Sequence, residues 1–172
     1  MSYKVLTYNQ SLSLLTDFYQ MTMAYAYWKA KVNTKEAVFH MFFRNNPFQG
    51  GFTIACGLEY VIDYLENFSF DKTDIDYLAS LRGNDEKPIF EKGFLDYLGL
   101  LKFECAVDAV PEGTIVFPHE PLIRVQGPII QSQILETVLL NIINFQTLIA
   151  TKAARMLIAS QGEPILEFGL RR

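Results

Sequence analysis

The stretch LEFGLRR (Leu166–Arg172) decides how the rest of the chain is read. With the residues before it, PILEF has the look of a short strand, and two guanidiniums follow a glycine. Arg171 and Arg172 are adjacent, so on a strand they point to opposite faces. One can aim inward at a ligand and the other at a phosphate or a partner carboxylate; the planar fork suits both. The C-terminal end of a strand is also where α/β barrels place their sites. A strand here, after a long helix, opens a parallel α/β unit. Without it the chain is an α+β domain with a basic tip, and from pattern alone a solvated tip is the simpler alternative.

Working back from that stretch, a helix is predicted from Gln131 to about Ser160, stopped by Gly162. It includes part of the most apolar run, IIQSQILETVLLNIINFQTLIA (Ile129–Ala150). That run carries Glu136 with several Gln and Asn, which a lipid-facing span rarely does. A buried helix is expected, with no membrane partner. Phe103–Pro128 is β-rich, with turns at Pro111–Gly113 and Pro118–Pro121. Two helices are predicted near Asp74–Leu81 and Ile89–Leu101. GLEYVIDYLENF (Gly57–Phe68) is an amphipathic helix with Leu58, Val61, Ile62 and Leu65 on its apolar face. FTIAC (Phe52–Cys56) is a short strand. EAVFHMFFR (Glu36–Arg44) is a longer one, with Ala37, Phe39, Met41 and Phe43 on a uniformly apolar face. At TDFYQ (Thr16–Gln20), Asp17 and Gln20 have capping-box spacing. The helix they start runs to about Lys31 and is apolar nearly all round, so it needs cover on more than one face. This order gives an α+β domain over residues 1–161, including the long connecting helix. Residues 162–172 are then the start of an α/β unit.

Composition sets the bounds. The 172 residues are 50% hydrophobic and 14% aromatic, which supports one domain with a sizeable core and excludes a disordered chain. A net charge of −4 gives no general attraction to nucleic acid. Cys56 and Cys105 are too few for a disulfide framework and are read as reduced core thiols. MSYKVLTYNQ (Met1–Gln10) lacks an apolar signal core, so a cytoplasmic location is expected.

The two histidines, His40 and His119, have no carboxylate or cysteine at metal-ligand spacing, and no metal site is predicted. No Ser-His-Asp or Cys-His set can be argued, and Walker A and GxGxxG patterns are absent. Three places stand above background. Asp17-Phe18-Tyr19 offers an aromatic face and a hydroxyl at a helix start; a capped core helix is the plainer alternative. FFRNNPFQGG (Phe42–Gly51) sets Arg44 before a glycine-containing loop whose amides can approach an anion; a hairpin turn is the plainer alternative. The arginine pair is the third.

Taken together, LLTDFYQMTMAYAYW, FHMFFRNNPFQGGFTIACGLEYVIDYL, PEGTIVFPHEPLIRVQGP and LEFGLRR resemble the nicotinate phosphoribosyltransferases, over about Leu14–Arg172. The related nicotinamide phosphoribosyltransferases are the alternative, but the FFRNNPFQGGF and LEFGLRR blocks are closer to the nicotinate enzymes. The resemblance implies an N-terminal α+β domain leading into the first strand of an irregular α/β barrel whose other strands are absent from this chain. It implies transfer of ribose 5-phosphate from phosphoribosyl pyrophosphate to nicotinate, with ATP hydrolysis and Mg2+, in NAD synthesis. It implies a homodimer with a shared site. Tyr19 is then expected to stack on the nicotinate ring of the neighbouring subunit, with Asp17 near the ring or ribose. Arg171 contacts substrate, Phe168 covers the other ring face and Arg44 contacts a phosphate. The phosphorylated catalytic histidine is expected downstream of Arg172, so this chain alone is expected to be a folded module without turnover, able only to dimerise or bind.

Overall fold

The computed structural model describes residues 11–169, so Arg171 and Arg172 lie outside the described residues. The elements are α1 (Phe18–Lys29), β1 (Glu36–Met41), a 3-10 turn (Pro47–Gln49), β2 (Thr53–Ile54) and α2 (Leu58–Glu66). They continue with α3 (Lys72–Ser80), α4 (Lys92–Gly99), β3 (Ala106–Ala109), β4 (Ile115–Val116), β5 (Ile123–Pro128), α5 (Ile129–Ile134) and α6 (Glu136–Ala159). The result is the mixed α and β domain that the order of predicted elements implies.

One antiparallel sheet has the order β1–β5–β3, with Met41 opposite Ile123 and Glu36 opposite Pro128. This register explains why β1 stops at Met41 and not at Arg44. β5 begins at Ile123, so the chain beyond Met41 has no ladder partner there; the Phe43 carbonyl instead accepts from the His119 amide at 2.8 Å. The expected apolar face is only partly covered: Ala37, Met41 and Phe43 are half-buried, whereas Phe39 is exposed. β2 and β4 form a separate two-stranded ladder, shorter than the predicted strand at Phe52–Cys56. Amides of β2 and just after it are taken by α6: Thr151 Oγ1 accepts from Ile54 at 2.9 Å, and Thr147 Oγ1 from Cys56 at 3.1 Å.

An aromatic cluster joins α1 to α4. Phe90 and Phe94 are buried, with ring centroids 5.6 Å apart, and Tyr25 meets Phe94 at 5.2 Å. Trp28 closes the cluster 5.8 Å from Phe94. Burying each such ring contributes about 1.5–3 kcal/mol. α1 is less enclosed than its composition suggested. Only Gln20, Met21 and Ala24 are fully buried, Phe18, Tyr19 and Met23 are exposed, and the helix ends at Lys29.

α2 begins at Gly57, which has no side chain to cap the helix. Glu112, from the Pro111–Gly113 turn, supplies the cap: its carboxylate accepts from the amides of Gly57 at 2.9 Å and Glu59 at 3.2 Å. Val61 and Leu65 are buried as predicted, but Ile62 is 47% exposed, off the packed face.

The long predicted helix is two helices. α5 is almost wholly interior, with Ile130, Gln131, Ser132, Gln133 and Ile134 buried. Ile129–Ala159 is long and apolar enough to cross a bilayer by length and composition. Here Ile134, Val138 and Ile143 pack into the domain core, while Phe145, Ile149 and Ile158 are exposed. α6 ends in a Schellman motif: Gly162 donates to Leu157 at 3.1 Å and Gln161 to Ile158 at 3.2 Å, both in the left-handed region. The strand expected at PILEF is not formed. No described strand lies beside residues 164–168 to share a ladder, and Leu166 and Phe168 are exposed.

Candidate functional site

A cleft of about 520 Å³ runs along the first half of α6. Glu136, Thr137, Asn144 and Leu148 line one wall, and Asn45 and Asp17 belong to the facing segments. Thr137, Asn141, Asn144 and Leu148 recur at the spacing of one helix face, which is why one wall collects so many polar groups. The opposite wall is the end of β1 and the loop after it. Thr53 Oγ1 donates to Asn46 Oδ1 at 3.0 Å and ties that loop to β2.

Asp17 occupies the N-cap position of α1 with extended backbone angles (φ −73°, ψ 144°), yet its carboxylate caps nothing. The predicted capping box with Gln20 is therefore not made. Gln20 is fully buried and turned the other way. Its Nε2 donates to Glu136 at 2.7 Å, and its Oε1 accepts from Thr137 at 3.0 Å and from Thr16. Leaving those groups for an exposed capping bond would strand an amide in the interior. Gln20 thus fastens α1 to the head of α6, and Asp17, with no cap bond, is among the residues lining the cleft.

The structure distributes the other predicted site residues unevenly. Tyr19 is 53% exposed on the first turn of α1, next to the cleft in sequence but not part of its wall. Its neighbour Phe18 leans inward against Phe90, centroids 6.2 Å apart. Arg44 is exposed, between Phe43 and Asn45, which both line the cleft. Phe168 is 85% exposed on the segment after α6, and the cleft does not include it. Arg171 lies outside the described residues. Sequence reasoning missed Glu136, Thr137 and Asn144. Their signal was present: the polar residues that argued against a membrane span share one helix face.

The cysteines are not set up as nucleophiles. Burial first, then Glu112 beside it, pushes the Cys56 thiol up, and burial does the same to Cys105. Both are unpaired. His119 sits at a turn with φ 68°, its ring 5.8 Å from Phe42. Among the described residues no group of three or more His, Cys, Asp or Glu converges to hold a metal. What the cleft offers is two carboxylates, amide side chains and an adjacent exposed aromatic. Such a set accepts hydrogen bonds from hydroxyls and stacks on a flat ring.

Residues 14–144 match the family model for the nicotinate phosphoribosyltransferase (NAPRTase) N-terminal domain. A nicotinate phosphoribosyltransferase of Caenorhabditis elegans is 47% identical over 161 residues, covering 92% of this chain and 28% of the relative. That of Bacillus subtilis is 45% identical over 164 residues, covering 95% and 32%. The crystal structure of human nicotinic acid phosphoribosyltransferase superposes with a TM-score of 0.80 at 42% identity, covering 92% of this chain and 31% of that one. The chain thus spans about a third of the length of these relatives. A family model that covers most of the chain, relatives above 40% identity and a shared fold agree: this chain belongs to the nicotinate phosphoribosyltransferase family.

Proposed function

We propose that this chain is the N-terminal part of an enzyme that forms nicotinate mononucleotide in NAD synthesis. The observation that carries this is the likeness to the human enzyme across 92% of the chain. In the proposed reaction the ring nitrogen of nicotinate attacks C1′ of phosphoribosyl pyrophosphate. The C1′–N bond forms, the C1′–O bond to pyrophosphate breaks, and pyrophosphate leaves with the bonding pair. The protein's tasks are to hold the ring flat, neutralise its carboxylate and orient the sugar.

Each predicted residue has a task in this scheme. Tyr19 stacks on the ring, and its half-exposed position leaves its face open to a neighbouring subunit. Asp17 accepts from a ribose hydroxyl, because the carboxylate is not spent on its helix. Arg44 faces a phosphate and Arg171 the substrate carboxylate. Phe168 covers the second ring face, which requires the exposed segment after α6 to be brought over a site. A homodimer with a shared site, a barrel beginning after Gly162, a phosphorylated histidine, coupling to ATP hydrolysis, Mg2+ and a cytoplasmic location complete the proposal. In this proposal, groups beyond the residues described would hold ATP and Mg2+.

The test is phosphoribosyl transfer by the product of the complete reading frame, with nicotinate and nicotinamide compared at equal concentration. Nicotinate mononucleotide should form, and the 172-residue chain alone should be inactive. Equal use of nicotinamide would move the assignment to the nicotinamide enzyme, and no transfer to either ring would sink it.

A further inference from the structure

The loop that follows Phe43 is held in an unfavourable shape. Phe48 (φ 58°, ψ 26°) and Gln49 (φ 53°) are both in the left-handed region, which L-residues with side chains seldom occupy. Strained backbone of this kind persists where surrounding contacts over-determine it, and it clusters at ligand sites. Two cations of α6 supply those contacts. The Arg155 guanidinium meets Gly50 end-on, so that a Cβ there would collide with its Nη1 and lie 3.2 Å from Cζ. The Lys152 ammonium stands 5.7 Å from the Phe48 ring centroid.

Lys152 and Arg155 follow Leu148 at i+4 and i+7, so they extend the cleft-lining face of α6 by two turns. Neither has an acidic partner among the described residues, and neither does Arg44 at the start of the same loop. The cleft itself carries Asp17 and Glu136, and the two turns of α6 that follow its last lining residue, Leu148, carry Lys152 and Arg155.

We infer that Lys152 and Arg155, braced on the strained loop Pro47–Gly50, form with Arg44 a binding wall for a diphosphate-sized polyanion. This rests on the proposed function, in which a pyrophosphate group must be held. It assigns two residues that none of the recognised motifs picked out as contacts. Gly50 belongs to the device because a Cβ there would displace the Arg155 Nη1 from the place it takes against the loop. The φ of Gly50 is −86°, so alanine there meets no backbone strain of its own.

The experiment is titration of the 172-residue chain with inorganic pyrophosphate and, separately, inorganic phosphate, followed by calorimetry and amide NMR. Pyrophosphate should bind saturably and more tightly than phosphate. Arg155→Gln should weaken it about tenfold, the scale of one charge-assisted contact. Gly50→Ala keeps all three cations and should weaken it comparably by pushing Arg155 off the loop. Thermal melts of both variants establish that they fold. Wild-type affinity in Gly50→Ala would overturn the inference, because a loose basic patch would not notice the change. Absence of pyrophosphate binding by the unsubstituted chain would overturn it too. Sensitivity confined to Arg44→Gln would remove Lys152 and Arg155 but leave the proposed function standing. Intact pyrophosphate binding with no phosphoribosyl transfer by the complete enzyme would do the reverse.

Discussion

The first turns of α1 and α3 begin alike and end differently. Asp17 and Asp71 both sit at N-cap positions with extended backbone angles. Asp71 accepts from the amides of Thr73 at 2.7 Å and Asp74 at 3.0 Å, and Asp74 returns the favour to the Asp71 amide. That capping box is complete. Asp17 makes no such bond: its backbone carbonyl accepts from the Gln20 amide at 3.0 Å, and the Gln20 side chain, which would supply the return bond of a box, is committed to Glu136 and Thr137. Capping is thus not decided at the cap. The return bond of a box depends on where the residue three positions later finds its better partner, and the Asp17 carboxylate is left uncommitted to its helix.

The comparison can be broken most forcefully at Gln20. Gln20→Ala should destabilise the chain by about 2–3 kcal/mol in urea unfolding, since it empties a buried position and strands its partners. A change below about 0.5 kcal/mol, the scale of a neutral surface site, would mean that Gln20 does not fasten α1 to α6. Asp71→Ala should give a smaller but clear fall in Tm, because two amides of α3 lose their acceptor; an unchanged melt would show the box to be idle. The same carboxyl is held below the usual range, chiefly by the Thr73 hydroxyl. Its contribution is present above the unfolded-state pKa and is lost as pH falls through the lower, folded-state pKa. Asp71→Asn keeps a capping oxygen but should flatten that part of the acid arm of the stability curve; an identical arm in both proteins would refute the linkage. The smallest effect on stability belongs to Asp17→Ala, expected to stay within about 0.5 kcal/mol. In the complete enzyme that variant should nonetheless raise KM for phosphoribosyl pyrophosphate, and unchanged kinetic constants would remove Asp17 from the site.

Much of the fold was legible because local periodicity survives packing. The 3.6-residue pattern at Leu58–Glu66 and the apolar alternation at Glu36–Met41 are real elements. The misses have a common cause. A capping box at Thr16–Gln20 and a strand at 164–168 are locally sound, but each depends on a partner that sequence spacing does not reveal. For Gln20 a better partner lay over a hundred residues away; for PILEF no described strand lies alongside. At α3 the opposite happened: the box at Asp71–Asp74 was overlooked by starting the helix at Asp74. The candidate site divides the same way. Asp17 was singled out by its motif and is one of the residues lining the cleft, whereas Glu136, Thr137 and Asn144 were hidden by counting as polar exceptions in an apolar run.

Glu112 capping α2 has a consequence in time. The helix receives its N-terminal acceptor from a residue 55 positions later. The threonines that satisfy the Ile54 and Cys56 amides come 97 and 91 positions later. On a ribosome adding roughly 5–20 residues per second, the segment around Gly57 is left unfinished for several seconds after it is made. It is therefore a point where a pause in translation would be felt. Residues 53–66 should be among the last to acquire hydrogen-exchange protection during refolding.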